Sequence, residues 1–137
     1  MEAIVPYLAF DGNAAEALTF YAKALEGKIL FQQTFGESPM DSKPEDKGRI
    51  MHASFEAGDL KFMCSDSMPG HPISYGSNMS LSLSFKTLEG IEKTFAALSE
   101  GATITMPLQD TFWGARFGML TDKYKINWMF NYDYPKK

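Results

Sequence analysis

Hydrophobic and polar positions run through the same order twice along the chain. An apolar run from Ala3 to Phe10 leads into FDGNAAEALTFYAKALEGKIL, where Ala14, Leu18, Tyr21 and Leu25 recur at helical spacing. A second run, Met79 to Phe85, leads into FKTLEGIEKTFAALSEGATI, where Leu88, Ile91, Phe95 and Leu98 repeat the stripe. Self-similarity on this scale predicts a duplicated supersecondary unit. Asn13, with Glu16 three residues on, reads as an N-cap in a capping box, and Thr87 reads as the second cap. Gly27 and Gly101 mark the helix ends, because glycine accepts the left-handed geometry that follows a last turn. Gly90 weakens the second helix slightly.

Strand-like runs follow each helix. In the first half they are Lys28 to Phe35, Arg49 to Ala57 and Leu60 to Ser65, the last two joined at Gly58-Asp59. In the second half they are Thr103 to Met106, Ala115 to Thr121 and Lys125 to Asn131, with the last turn at Asp122 to Tyr124. Ser38 to Lys47, polar with two prolines, reads as a solvated loop. The expected organisation is one domain over residues 1–137: module one at 1–66, a linker at 67–78 and module two at 79–137. Each module is a βαβββ unit whose sheet has a helix on one face, so its other face needs cover. The expected class is α+β, with two modules forming cup-shaped mixed sheets and the helices outside. A second copy completing the cup makes a homodimer the expected assembly.

Composition narrows the functions. A net charge of −4 and a sequence pI of about 5.1 argue against a nucleic-acid binder, which needs a basic stripe for phosphate. No apolar run approaches the roughly 20 residues that span a bilayer, so no membrane partner is expected. The N-terminal MEAIVPYLAF has no basic leader and no cleavage site. One cysteine, Cys64, excludes an internal disulfide and fits a cytoplasmic protein; CSDS is not a nucleophile motif, so Cys64 reads as a small buried hydrophobe. Aromatic residues are 14% and methionines number nine, which suits either a core or a pocket for an apolar ligand.

The stretches PYLAFDGNAAEALTFY, GRIMHASFEAGDLKFMCSD and MPLQDTFWGARFGMLTDKYKINW together resemble the vicinal oxygen chelate superfamily, which includes glyoxalase, bleomycin resistance and dioxygenase proteins. The details are similar to its PhnB-like branch, labelled 3-demethylubiquinone 3-methyltransferase-like. That resemblance implies the two-module fold and a cleft within the cup. It does not imply methyl transfer, since no glycine-rich strand-to-helix loop for a methyl donor occurs.

The resemblance also implies where a divalent metal would be held, by His and Glu on the first and fourth strands of each unit. Those positions fall near Val5 to Tyr7, near Ser80, at Phe62 or Met63, and at Asn127. Such ions want imidazole, carboxylate or thiolate, which these residues do not offer. A divalent metal is therefore disfavoured, no metal ligands are assigned and no cofactor is expected.

Histidines occur at 52 and 71. Alternation in RIMHASFEA puts His52 on one face with Ile50 and Ser54, from which it can reach into the cup; it reads either as a hydrogen-bonded structural residue or as the candidate acid–base group. The stretch QDTFWGARFGMLTDKYKINW reads as a pocket wall. Trp113 offers an apolar face, Arg116 a charged fork, and Gln109 and Thr111 hydrogen bonds. The same residues also read as structure, with Trp113 at a dimer contact, Arg116 paired to an acid such as Asp110, and Trp128 in the core. The candidate ligand-binding set is Tyr7, His52, Met63, Gln109, Thr111, Trp113, Arg116 and Asn127. Three functions compete: a metal-independent binder of an unidentified small molecule; a lyase, isomerase or transferase acting on a small oxygenated substrate; and a structural or regulatory dimer with a filled cup.

Overall fold

The computed structural model describes residues 1–39 and 41–136; Met40, inside the expected loop at 38–47, lies outside the described residues. The chain divides into two compact units, Met1–Ser74 and Tyr75–Lys137. In the first, β1 (Tyr7–Phe10), α1 (Ala14–Ala24), β2 (Lys28–Thr34), β3 (Ile50–Ala57) and β4 (Leu60–Asp66) form a sheet ordered β1-β4-β3-β2. In the second, β5 (Leu81–Phe85), α2 (Leu88–Leu98), β6 (Thr103–Asp110), β7 (Ala115–Thr121) and β8 (Asn127–Asp133) form a sheet ordered β5-β8-β7-β6. The outer pairs β1–β4 and β5–β8 are parallel and the other neighbours antiparallel. This is the expected α+β architecture of two βαβββ modules.

Each helix lies on one face of its own sheet. Ala14, Ala17, Leu18, Tyr21 and Ala24 bury one stripe of α1. Tyr21 meets Phe62 edge-on at 5.9 Å, and Phe62 stacks on Phe55 at 4.8 Å. Ile91, Phe95 and Leu98 bury the stripe of α2, and Phe95 meets Phe130 edge-on at 4.9 Å. Leu88, expected in that stripe, is instead exposed. Trp128 lies in the core, with Nε1 donating to Asp122 Oδ2 at 2.8 Å.

Several local expectations are corrected. The Asn13 side chain makes no capping bond. The α1 N-terminus is capped from β4, where buried Asp66 accepts from Gly12 N at 2.8 Å and Ala14 N at 3.0 Å. Thr87 does cap α2, accepting from Gly90 N at 2.9 Å. The left-handed residue after α1 is Glu26, with φ 53°; Gly27 is needed for room, since a Cβ there would sit 2.5 Å from Phe55 Cζ and 2.6 Å from Glu56 O. Gly101 has φ 71°, as its place after α2 requires.

Strand limits shift for reasons in the chain. β1 starts at Tyr7 rather than Ala3; Pro6 has no N–H for a ladder, although its carbonyl accepts from Met63 N at 3.0 Å. β6 runs past Pro107 to Asp110 because it is an edge strand with two register shifts, where proline is tolerated. β4 gains Asp66, and β8 starts at Asn127 and ends at Asp133.

Candidate functional site

Strand alternation gives each sheet a helix-bearing face and an open one. In the first unit Phe62, Cys64 and Asp66 of β4 point to the helix side and are buried. Met63 therefore belongs to the open face. It stands opposite Tyr7 on β1 and Ser54 on β3, and Ser54 stands opposite Phe31 on β2. Tyr7, Met63, Ser54 and Phe31 thus form one row across all four strands. His52 lies one pleat along β3, paired with Gln33.

The short Ser54 side chain leaves space in this row for the rings around it. The Tyr7 hydroxyl lies 3.2 Å from His52 Nδ1, with ring centroids 5.8 Å apart. Phe31 approaches His52 from the opposite edge, its centroid at 6.2 Å. With the imidazole neutral and its proton on Nε2, the phenol donates to Nδ1; with the proton on Nδ1, the imidazole donates to the phenol oxygen. Tyr7 and Phe31 are each half exposed. The result is a reachable surface with two aromatic rings, a thioether and one oriented imidazole. It can stack a flat molecule and donate a hydrogen bond to it, or exchange a proton with it.

Tyr7, His52 and Met63 are thus brought together, and the structure adds Phe31, which the sequence reading missed. The apolar run in KILFQQT was its signal, but which face Phe31 takes depends on a register shift between Ile29 and Phe31. Cys64 faces the helix side and is buried; burial, with a smaller effect of the Asp66 charge, pushes its thiol up to about 12, so it is no nucleophile at neutral pH.

The other five candidates lie in the second unit and take different roles. Gln109 stands opposite Phe117 on the open face. Thr111 is spent on the β6–β7 turn: its hydroxyl accepts from Ala115 N and donates to Ala115 O, both at 3.1 Å. Trp113 is exposed at that turn, edge-on to Phe112 at 5.0 Å and 6.1 Å from Phe117. Arg116 points to the α2 side. Its Nε donates to Glu92 at 2.6 Å and its NH1 to Asp110 at 3.2 Å. The Glu92 bond foremost raises the guanidinium's pKa, while a Tyr134 hydroxyl bond foremost holds Asp110 below the usual carboxylate range. The arginine is engaged as the pairing reading expected, on the α2 side of the sheet and away from the open face.

Asn127 is engaged as well. Its amide donates to Gly76 O at 3.0 Å and Met79 O at 3.1 Å, and its oxygen lies 2.8 Å from the Thr121 hydroxyl, which donates to it. The amide holds the segment ahead of β5 against β8, a task an acid could not perform because carbonyls need a donor. The positions where the resemblance implies metal ligands therefore present a phenol at Tyr7, a thioether at Met63, a hydroxyl at Ser80 and this committed amide. On donor chemistry they do not fit a divalent ion of the superfamily type. Among the described residues no group of three or more His, Cys, Asp or Glu side chains converges as a metal set.

Two mixed four-stranded sheets, each with one helix, define an α+β protein of the glyoxalase/bleomycin resistance/dioxygenase fold. A solved domain of that description from Frankia sp. EAN1pec superposes with TM-score 0.71 at 14% identity, covering 100% of this chain and 96% of that one, a likeness of fold alone. The chain belongs to the family described as 3-demethylubiquinone-9 3-methyltransferase, whose model matches residues 2–130. Protein PA1353 from Pseudomonas aeruginosa is 39% identical with TM-score 0.88, over 97% of this chain and 98% of that one. A putative 3-demethylubiquinone-9 3-methyltransferase, PhnB protein, from Bacillus cereus is 30% identical with TM-score 0.81, over 96% and 99%.

Proposed function

We propose that the chain is a metal-independent small-molecule binding protein, whose ligand lies on the open face of the first unit against Tyr7, Phe31, His52 and Met63. The observation that carries this is His52 held by the Tyr7 hydroxyl with Phe31 on its other side, on a sheet face that α1 leaves free. Rings and a thioether supply contact area, and one fixed imidazole supplies direction. Binding to a flat, apolar molecule carrying one hydrogen-bonding oxygen follows. The family's methyltransferase description is not carried over to this chain.

The test is a thermal-shift screen of aromatic and oxygenated compounds, with affinities of hits measured by calorimetry. A hit is expected to bind about tenfold more weakly to Phe31→Ala, the loss of one aromatic contact of ~1.4 kcal/mol. His52→Gln should weaken hits that carry the oxygen and spare those that lack it. No stabilisation across the library would overturn the reading. A hit recovered chemically altered, with alteration abolished by His52→Gln, would replace it with the enzyme reading, in which His52 moves the proton.

We further propose that the protein works as a cytoplasmic homodimer. Edge strand β2 leaves Ile29 and Leu30 exposed, apolar surface that a second copy would cover. Light scattering after gel filtration should give twice the chain mass of 15.3 kDa; a mass of one chain rejects the dimer. Among the described residues no helix is long and apolar enough to cross a membrane.

A further inference from the structure

The open face of the second unit carries a feature that the proposed function does not use. Met106 on β6 is paired with Met119 on β7, and Met119 is paired with Met129 on β8. Three methionines therefore stand abreast on neighbouring strands. Their side is fixed by what lies between them. A Cβ on Gly118 would point at Phe95 of α2, 2.9 Å away, so Met119 points away from the helix. Phe130 and Trp128, flanking Met129, are buried in the core, so Met129 also points away. The register shifts on either side of Met106 bring it onto the same face, opposite Met119, while the Leu108 side chain lies near Gly118 on the helix side.

Directly opposed residues on neighbouring strands hold their Cβ atoms roughly 4.5–5.5 Å apart. Methionine adds three further rotatable bonds, so the two outer side chains can lean over the central one and bring three sulfurs together. All three residues are partly exposed, so the sulfurs are reachable. The groups beside the row are Ser82, paired with Met129, Phe117 and Thr121, two residues either side of Met119 on β7, and Asn127 and Asn131, two residues either side of Met129 on β8. None of them is a carboxylate or an imidazole. A neutral thioether set of this kind is a poor site for hard divalent ions and a good one for a soft monovalent ion.

We propose that Met106, Met119 and Met129 form a binding site for a soft monovalent metal ion, copper(I), held by three thioethers. The site shares no residue with the proposed surface of the first unit and uses none of the positions at which the superfamily holds divalent ions. No redox step is involved; the ion binds in its reduced state.

Silver(I), which does not change oxidation state in air, is the probe. The whole chain is labelled at the methionine ε-methyl carbons and titrated with silver nitrate in chloride-free buffer. Of nine methionine signals, three are expected to shift, reaching an end point at one ion per chain. Met106→Leu, Met119→Leu and Met129→Leu assign the signals. Met119→Leu, nearly conserved in volume, should weaken silver binding at least about tenfold. Met68→Leu, outside the row, should leave it unchanged. Cys64 is the competing soft ligand, so binding is repeated in Cys64→Ala; the labelled wild-type spectrum decides the matter if that variant does not fold. Shifts spread evenly over all the methionines, no shift, or silver retained only while Cys64 is present would each overturn the proposal. The last would place the ion on the thiol, and the second would leave the row as an apolar floor.

Discussion

Replacing Asp66 by alanine is expected to cost about 4 kcal/mol of stability, since each buried donor left unsatisfied costs ~1–3 kcal/mol and two buried donors and a part-buried one are involved. Asp66 Oδ1 accepts from Gly12 N and Ala14 N, and Oδ2 accepts from Ile50 N at 2.8 Å. One carboxylate thus closes the start of α1 and anchors the start of β3 from the end of β4. It also places negative charge at the N-terminus of α1, where the helix dipole favours it. Asn13 does not share the task, since its side chain makes no capping bond. Urea unfolding should show a lower midpoint with an unchanged slope, and native-state hydrogen exchange should speed up at Gly12, Ala14 and Ile50. Asp66→Asn should lose less, because one oxygen still accepts while its NH2 faces a donor. A loss below ~1 kcal/mol for Asp66→Ala would show that water or another group satisfies these N–H groups.

The same carboxylate shows what the sequence could and could not convey. Helix periodicity, the Thr87 cap and the doubled order of elements are local patterns, and the two sheets follow from them. The Asp66 bonds join residues that are 54, 52 and 16 positions apart, so no local spacing announces them. Asn13 and Glu16 matched the pattern of a capping box, but the carboxylate at the start of α1 is Asp66, which accepts from Gly12 N and Ala14 N instead. Gly27 illustrates a different limit. Its position after the helix suggested a left-handed residue, yet the constraint is the approach of Phe55 and Glu56 from β3, which exists only once the sheet is formed.

The site follows the same division. Alternation along RIMHASFEA separates His52 from Phe55, and the resemblance places Tyr7 and Met63 at first- and fourth-strand positions that face the cup, so all three could be named as candidates. Arg116 could not be placed, because one residue of register decides whether it meets a ligand or Glu92 on α2. Phe31 and the row Met106, Met119 and Met129 depend on register shifts in edge strands β2 and β6, where alternation fails. Asn127 was legible as a departure from an acid, but its reason was not: the carbonyls of Gly76 and Met79 come from a segment of irregular structure.

Asp122→Ala should rival the loss at Asp66, at about 3 kcal/mol, by the same cost of unsatisfied buried donors. Asp122 sits in the β7–β8 turn, 2% exposed. Its Oδ1 accepts from Tyr124 N at 2.8 Å and Ile126 N at 3.1 Å, and its Oδ2 accepts from Trp128 Nε1. The side chain therefore shapes a turn in which Lys125 holds a left-handed φ of 74°, and it satisfies the one polar atom of the largest core side chain. These two tasks separate in a double-mutant cycle. Trp128→Phe removes the indole donor, so Asp122→Ala in that background leaves only the turn amides without their acceptor. Its cost should fall by about 1.5 kcal/mol, the lower end of what a hydrogen bond to a charged group contributes. Equal costs in both backgrounds would mean that Asp122 stabilises the protein through the turn alone, with Trp128 held by its packing against the helix. A cost that vanishes in the Trp128→Phe background would mean the reverse, and the turn would then be set by the β7–β8 ladder itself.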